Sequence, residues 1–137
     1  MNNINELVTN VKSSRKRTAV IYCSESFMPI IAQFRENIPE IKILDCTDLY
    51  KGSLTFSASD LLNQIELVSE DKPTIIFNIE ALIVPNLIHF EDQLAKLLSM
   101  REPLKPLFFL FYSKKIFCHF RDLFESKELN CQNTLEL

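Results

Sequence analysis

Pro73-Thr74-Ile75-Ile76-Phe77-Asn78-Ile79 decides how this chain folds. The run from Thr74 to Ile79 is β-branched and aromatic, opens after a proline, and does not alternate apolar with polar residues. A strand covered by helices on both faces has no reason to alternate, so the segment reads as a strand of a buried, parallel sheet. Three further runs read the same way: Thr18 to Cys23 (TAVIYC), Ile41 to Leu44 (IKIL) and Leu107 to Tyr112 (LFFLFY).

Helical periodicity fills the intervals. Ile4, Leu7, Val8 and Val11 recur at i, i+3, i+4 and i+7, which predicts an amphipathic helix over 4–14. After the first strand, Phe27, Ile30, Ile31, Phe34 and Ile38 make one apolar face. That helix is expected to be capped by Ser24 or Ser26, to carry Pro29 in its first turn, and to end before Pro39. A third helix is predicted over 57–70, with Ser57 and Asp60 at capping-box spacing. A fourth starts near Asn86 with Leu87, Phe90, Leu94, Leu97 and Leu98 on one side. Ser113 caps the last, which buries Ile116, Phe117, Phe120, Leu123 and Phe124. The polar stretch after Leu44 opens the longest expected loop, Thr47 to Phe56, and the tail from Cys131 to Leu137 reads either as a short fifth strand or as disordered.

Strands alternating with helices of this length need crossover connections, which are right-handed and leave helices on both faces. The expected fold class is therefore α/β, a three-layer α/β/α arrangement on a mostly parallel sheet of four or five strands. It spans 1–137 as one domain, with 1–16 forming an N-terminal amphipathic helix and basic loop.

Composition narrows the function. The chain has 137 residues, 47% hydrophobic and 24% charged, so it can build an ordinary globular core. No apolar run approaches the ~20 residues of a membrane span, and the first residues, MNNINELVTN, lack the layout of a signal peptide. Four scattered cysteines (Cys23, Cys46, Cys118, Cys131) read as reduced thiols, so the expected location is cytoplasmic. A net charge of -3 gives no global attraction to nucleic acid. There is one glycine, Gly52, and phosphate-cradling loops depend on glycine for close backbone approach.

Ligands of open parallel sheets bind outside the carboxyl ends of the strands. Here that edge carries Cys23, Ser24, Glu25 and Ser26 after the first strand, Asp45, Thr47 and Asp48 after the second, Asn78 and Glu80 after the third, and Ser113, Lys114 and Lys115 after the fourth. These are the candidate residues for a ligand or a partner, and each has a structural alternative. The serines suit helix caps. Asp45 and Asp48 suit turns. Lys114 and Lys115 open a helix, where the macrodipole disfavours cations; an anionic partner relieves that, and exposure to water makes it tolerable. A second candidate is the basic run of Lys12, Arg15, Lys16 and Arg17, otherwise a capped helix end and solvated loop. Cys23 lacks the Cys-x5-Arg spacing of a phosphatase loop, because Pro29 stands there. Neither His89 nor His119 has partners at metal-ligand spacing, and no G-x-S-x-G elbow is present. No catalytic residue, metal or cofactor is assigned.

Three segments, TAVIYCSESFMP, PTIIFNIEALIVPN and LFFLFYSKK, together resemble the core of the P-loop NTPases, including AAA+-type domains, over roughly 17–126. In that family the first loop is G-x-x-x-x-G-K-[ST]; here it is Cys23-Ser-Glu-Ser-Phe-Met-Pro29, without glycine or lysine. The second segment resembles a Walker B strand with Asn78 in place of the magnesium-binding aspartate, Ile79 in place of the glutamate, and Glu80 one residue late. The resemblance implies a degenerate NTPase that has lost hydrolysis, with strand order 2-3-4-1. Small proteins of this build occur as accessory factors in bacterial phage-defence clusters and clamp loaders. IIFNIEALIVPN is also similar to the third strand of response regulators, with Asn78 at the phosphoacceptor position. That implies a pseudo-receiver with order 2-1-3-4.

Both resemblances imply a fold kept for contacts. The expected function is a non-catalytic interaction or accessory subunit, working through a protein partner or a homo-oligomer, with no membrane contact. The alternatives are an enzyme with a cryptic site at the strand carboxyl edge, using Asp45, Asp48, Glu80 or Cys23, and a nucleic-acid-binding accessory protein. A surplus of aromatic side chains in Leu107–Tyr112 and the helix after it suggests that their cover is completed partly by the N-terminal helix, through Leu7 and Val11, and partly by another chain, with that helix as a contact.

Overall fold

The computed structural model describes residues 4–13, 17–50, 72–80, 105–126 and 134–137, together with 63, 64 and 67. Five strands form one sheet: β1 (Thr18–Tyr22), β2 (Lys42–Asp45), β3 (Thr74–Phe77), β4 (Leu107–Phe111) and β5 (Thr134–Glu136). Their order is β2-β3-β4-β1-β5, and all four pairings are parallel. The first four strands thus stand as 2-3-4-1 and not 2-1-3-4.

The described helices are α1 (Ile4–Ser13), α2 (Met28–Asn37), α3 (Cys46–Tyr50) and α4 (Lys114–Ser126). Residues 63, 64 and 67 are helical, as the periodicity over 57–70 predicts; the rest of that helix, the helix expected from Asn86, and Arg15 and Lys16 lie outside the described residues.

Successive side chains on a strand point to opposite faces, and the core divides accordingly. On one face Ala19, Ile21, Ile75, Phe108, Leu110 and Leu135 meet Ile4, Leu7, Val8 and Val11 of α1 and Ile30, Ile31 and Phe34 of α2. The Phe34 and Phe108 rings lie 4.7 Å apart. On the other face Phe111 lies 5.2 Å from Phe120 and 6.4 Å from Phe117, and Tyr22 lies 5.7 Å from Phe117, all centroid to centroid. The sheet is therefore the middle of three layers.

Every residue from Thr18 to Ile21 and from Leu107 to Phe111 is buried, as strands covered on both sides must be. Burying each phenylalanine contributes roughly 1.5–3 kcal/mol before cavity terms. This distribution corrects the expected aromatic surplus. Phe108, Phe109, Phe111, Phe117 and Phe120 are all fully buried within the chain, because alternation shares them between two faces. Leu7 and Val11 are likewise spent on the shared core, so the apolar face of α1 is not a free contact surface.

Local details depart from the sequence-based expectation in two places, and the tail takes the strand alternative. Cys46 to Tyr50, expected in a polar stretch and the start of a long loop, form helix α3; residues 51–56 lie outside the described set. Phe27, not Ser24 or Ser26, is the residue flanking α2, although the Ser26 hydroxyl accepts the Met28 N–H at 3.3 Å. The tail forms β5, which pairs with β1 through Thr134, Leu135 and Glu136. Pro29 does lie in the first turn of α2, and Pro39 follows its C-cap Ile38, whose N–H closes on the Phe34 carbonyl at 2.8 Å.

Candidate functional site

Strand direction alone brings the carboxyl ends together. Register aligns Asp45 with Phe77, and Tyr22 with both Phe111 and Glu136, so these ends form one rim. From β1 the chain moves across β4 and β3 to β2, whereas the later connections run back the other way, through β3 and β4 to β5. Right-handed crossovers in opposite directions place their helices on opposite faces, as α2 and α4 are. Adjacent strands β1 and β4 therefore send their chains to opposite sides. The topological switch point of this fold, where open α/β sheets form their ligand crevice, lies between Cys23–Phe27 and Tyr112–Lys114.

Two pairs of the predicted residues meet at this rim. Asn78 follows β3 with φ of 61°, a left-handed conformation that asparagine tolerates better than most residues. Its amide donates to Asp45 Oδ1 at 3.0 Å. The same oxygen accepts the Thr47 N–H at 3.0 Å and the Thr47 hydroxyl at 2.7 Å. Asp45 thereby caps α3, and its carboxylate binds β2, α3 and the end of β3 together.

Glu80 meets the turn after β4. Its Oε2 accepts the Tyr112 N–H at 2.7 Å and the Ser113 N–H at 3.1 Å. Ser113 in turn caps α4 as predicted: its Oγ accepts the Ile116 N–H at 3.3 Å. Glu80 is 1% exposed, and among the described residues its Oε1 has no hydrogen-bond partner. Burial pushes the Glu80 carboxyl above the usual range, against the lowering effect of N–H groups from Glu80 itself, Tyr112 and Ser113. Burial, and then the charges of Asp45 and Glu80, push the Cys46 thiol up to about 12. Burial and then Glu80 raise the Tyr112 phenol.

The other candidates do not join these pairs. Ser24 and Ser26 are exposed beside β1, and Asp48 is exposed on α3. Lys114 turns to β5: its Nζ lies 3.6 Å from Glu136 Oε1 and 5.9 Å from the centre of the Tyr22 ring. The anion that relieves a cation at the start of α4 is thus supplied by the chain itself. Lys115, Lys12 and Arg17 are exposed. Sequence reasoning placed Thr47 on this edge but missed the Tyr112 amide and Glu136. Thr47 stands at Asx-turn spacing from Asp45, a signal that was present; nothing local pointed to the other two.

Among the described residues no group of three or more His, Cys, Asp and Glu is placed to hold a metal ion, and no helix is long and apolar enough to cross a membrane. A surface depression of about 340 Å³ is lined by Asn5, Glu6, Thr9 and Asn10 of α1, away from the carboxyl rim. No protein-family model matches this chain, and no curated protein matches it.

Proposed function

We propose that this chain is a non-catalytic accessory subunit on a degenerate P-loop NTPase-like fold, acting by contact with a protein partner in a bacterial defence or DNA-processing assembly. The observation that carries this proposal is the use made of the rim acids. Asp45 accepts three bonds from Thr47 and Asn78, and Glu80 holds the two amides of the β4–α4 turn. A general base or a cation-binding carboxylate needs free lone pairs facing substrate. Here Asp45 Oδ1 and Glu80 Oε2 hold the sheet edge together instead, and the second Glu80 oxygen is buried away from solvent. The 2-3-4-1 order of the first four strands supports the P-loop resemblance over the receiver one, and the first loop, CSESFMP, offers neither glycine nor lysine to phosphate.

What the rim presents outward is of the kind that partners recognise. Tyr112 is 50% exposed, Met28 70% and Leu137 45%, and they follow β4, open α2 and end β5. Calorimetry with ATP and GTP in the presence of magnesium should show no micromolar binding. Light scattering on the chain mixed with proteins encoded beside it should show a stoichiometric complex that Tyr112→Ala weakens. A tight, magnesium-dependent nucleotide complex overturns the proposal, as does a strict monomer that retains none of those proteins.

A further inference from the structure

Glu80 carries more than a structural cap. Its side chain crosses from the end of β3 to the next strand and holds two consecutive backbone amides with a single oxygen, at 2.7 and 3.1 Å. Those amides belong to Tyr112 and Ser113, the residues between β4 and α4. The other oxygen is buried without a partner among the described residues. The titratable groups coupled to Glu80 there are Cys46 at the start of α3, which also feels Asp45 at the end of β2, and Tyr112 itself. None of the three is a cation. Lys114, the nearest lysine in sequence to the clasped amides, is committed to Glu136 on the far side of β1.

Among the described residues the neutral carboxyl leaves its O–H unpaired on the second oxygen, a smaller cost than a buried charge. Its carbonyl oxygen takes both N–H groups and no net charge is buried. The ionised carboxylate makes stronger bonds to the same amides, but it holds a full charge out of water with one oxygen unpaired and Asp45 near the same thiol. The simplest relief is for the side chain to swing outward into water, which frees the two amides.

We propose that Glu80 is a proton-dependent latch on the β4–α4 turn, closed when its carboxyl is neutral and released when it ionises. The latch sits beside the switch point between β1 and β4, so its state sets how firmly Tyr112 and the first turn of α4 are held. It depends on no particular partner and goes beyond the accessory role proposed above.

The test is nuclear magnetic resonance on the full chain, over about pH 5 to 9, which brackets a carboxyl raised above its ordinary ~4.3. The Glu80 side-chain carbonyl carbon is followed together with the Tyr112 and Ser113 amides. The expected result is one shared midpoint above the ordinary carboxylate range. Amide protection at Tyr112 and Ser113 falls about tenfold or more across it, after correction for intrinsic exchange. Glu80→Gln, which keeps an oxygen for both amides and cannot ionise, holds them protected throughout. If that variant fails to fold, the wild-type titration decides alone. A Glu80 midpoint in the ordinary range overturns the latch. So do amides that stay protected while Glu80 ionises, or a folded Glu80→Gln chain that shows the same loss.

Discussion

The side-chain amide of Asn78 donates to Oδ1 of Asp45 at 3.0 Å, joining the carboxyl ends of β3 and β2 across 33 residues of chain. Asn78 reaches that oxygen from a left-handed backbone, with φ of 61°. Two contributions therefore rest on one residue. Asn78→Gly keeps the backbone and loses the bond, which costs about 1 kcal/mol. Asn78→Ala loses the bond and adds left-handed strain of about 1–2 kcal/mol, so it should be the more destabilised in urea. Asn78→Asp sets a second carboxylate against Asp45. Its stability deficit should be larger at neutral pH than in acid, where one of the pair takes a proton.

Glu80 gives the chain a pH dependence of definite sign. Its folded-state carboxyl is raised by burial. A raised group contributes fully below the unfolded value, about 4.3 for glutamate, and that contribution is lost as pH rises through the folded value. Glu80→Gln has no such loss. Urea midpoints of the two proteins should converge in acid and separate with rising pH, with the glutamine variant the more stable. Glu80→Ala leaves the Tyr112 and Ser113 N–H groups without an acceptor and should lose about 1–3 kcal/mol. A wild-type curve that climbs with pH relative to Glu80→Gln contradicts the assignment.

Cys46 should be inert. It is fully buried, and its thiol is pushed up to about 12 by burial and by Asp45 and Glu80. The thiolate is the reactive form, so native alkylation followed by peptide mass mapping should leave Cys46 unmodified while the half-buried Cys118 is labelled. Labelling of Cys46 at a rate equal to that of Cys118 shows that the rim opens readily.

The Lys114–Glu136 pair ties α4 to β5 at 3.6 Å, with side chains 64% and 50% exposed. An exposed pair of this kind contributes roughly 0.2–1 kcal/mol and is screened by salt. A double-mutant cycle with Lys114→Ala and Glu136→Ala should return a coupling in that range at low salt and close to none at high salt. A coupling unchanged by salt means that the contact of Lys114 with Tyr22, not the ion pair, holds the two elements.

Sequence by itself determined the layers. Apolar runs such as TAVIY and LFFLF have no polar face to show to water, so they required helices on both sides, and the spacing of Ile4, Leu7, Val8 and Val11 required one helix face. Those are local signals, carried by neighbours one to four residues apart, and α1, α2 and α4 form where the period places them. Ser113 as a helix cap was legible for the same reason. What tertiary structure alone decided is non-local. Strand order was open between 2-3-4-1 and 2-1-3-4 until the pairing of β1 with β4 closed it. The three-residue tail strand exists because β1 offers it an edge, a fact no tail sequence contains. The role of Glu80 was hidden most deeply. In sequence it is an acid just past the end of a strand; in space its oxygen clasps amides 32 and 33 residues away. Backbone N–H groups look alike in every sequence, so only the fold could show which of them a buried carboxyl would reach.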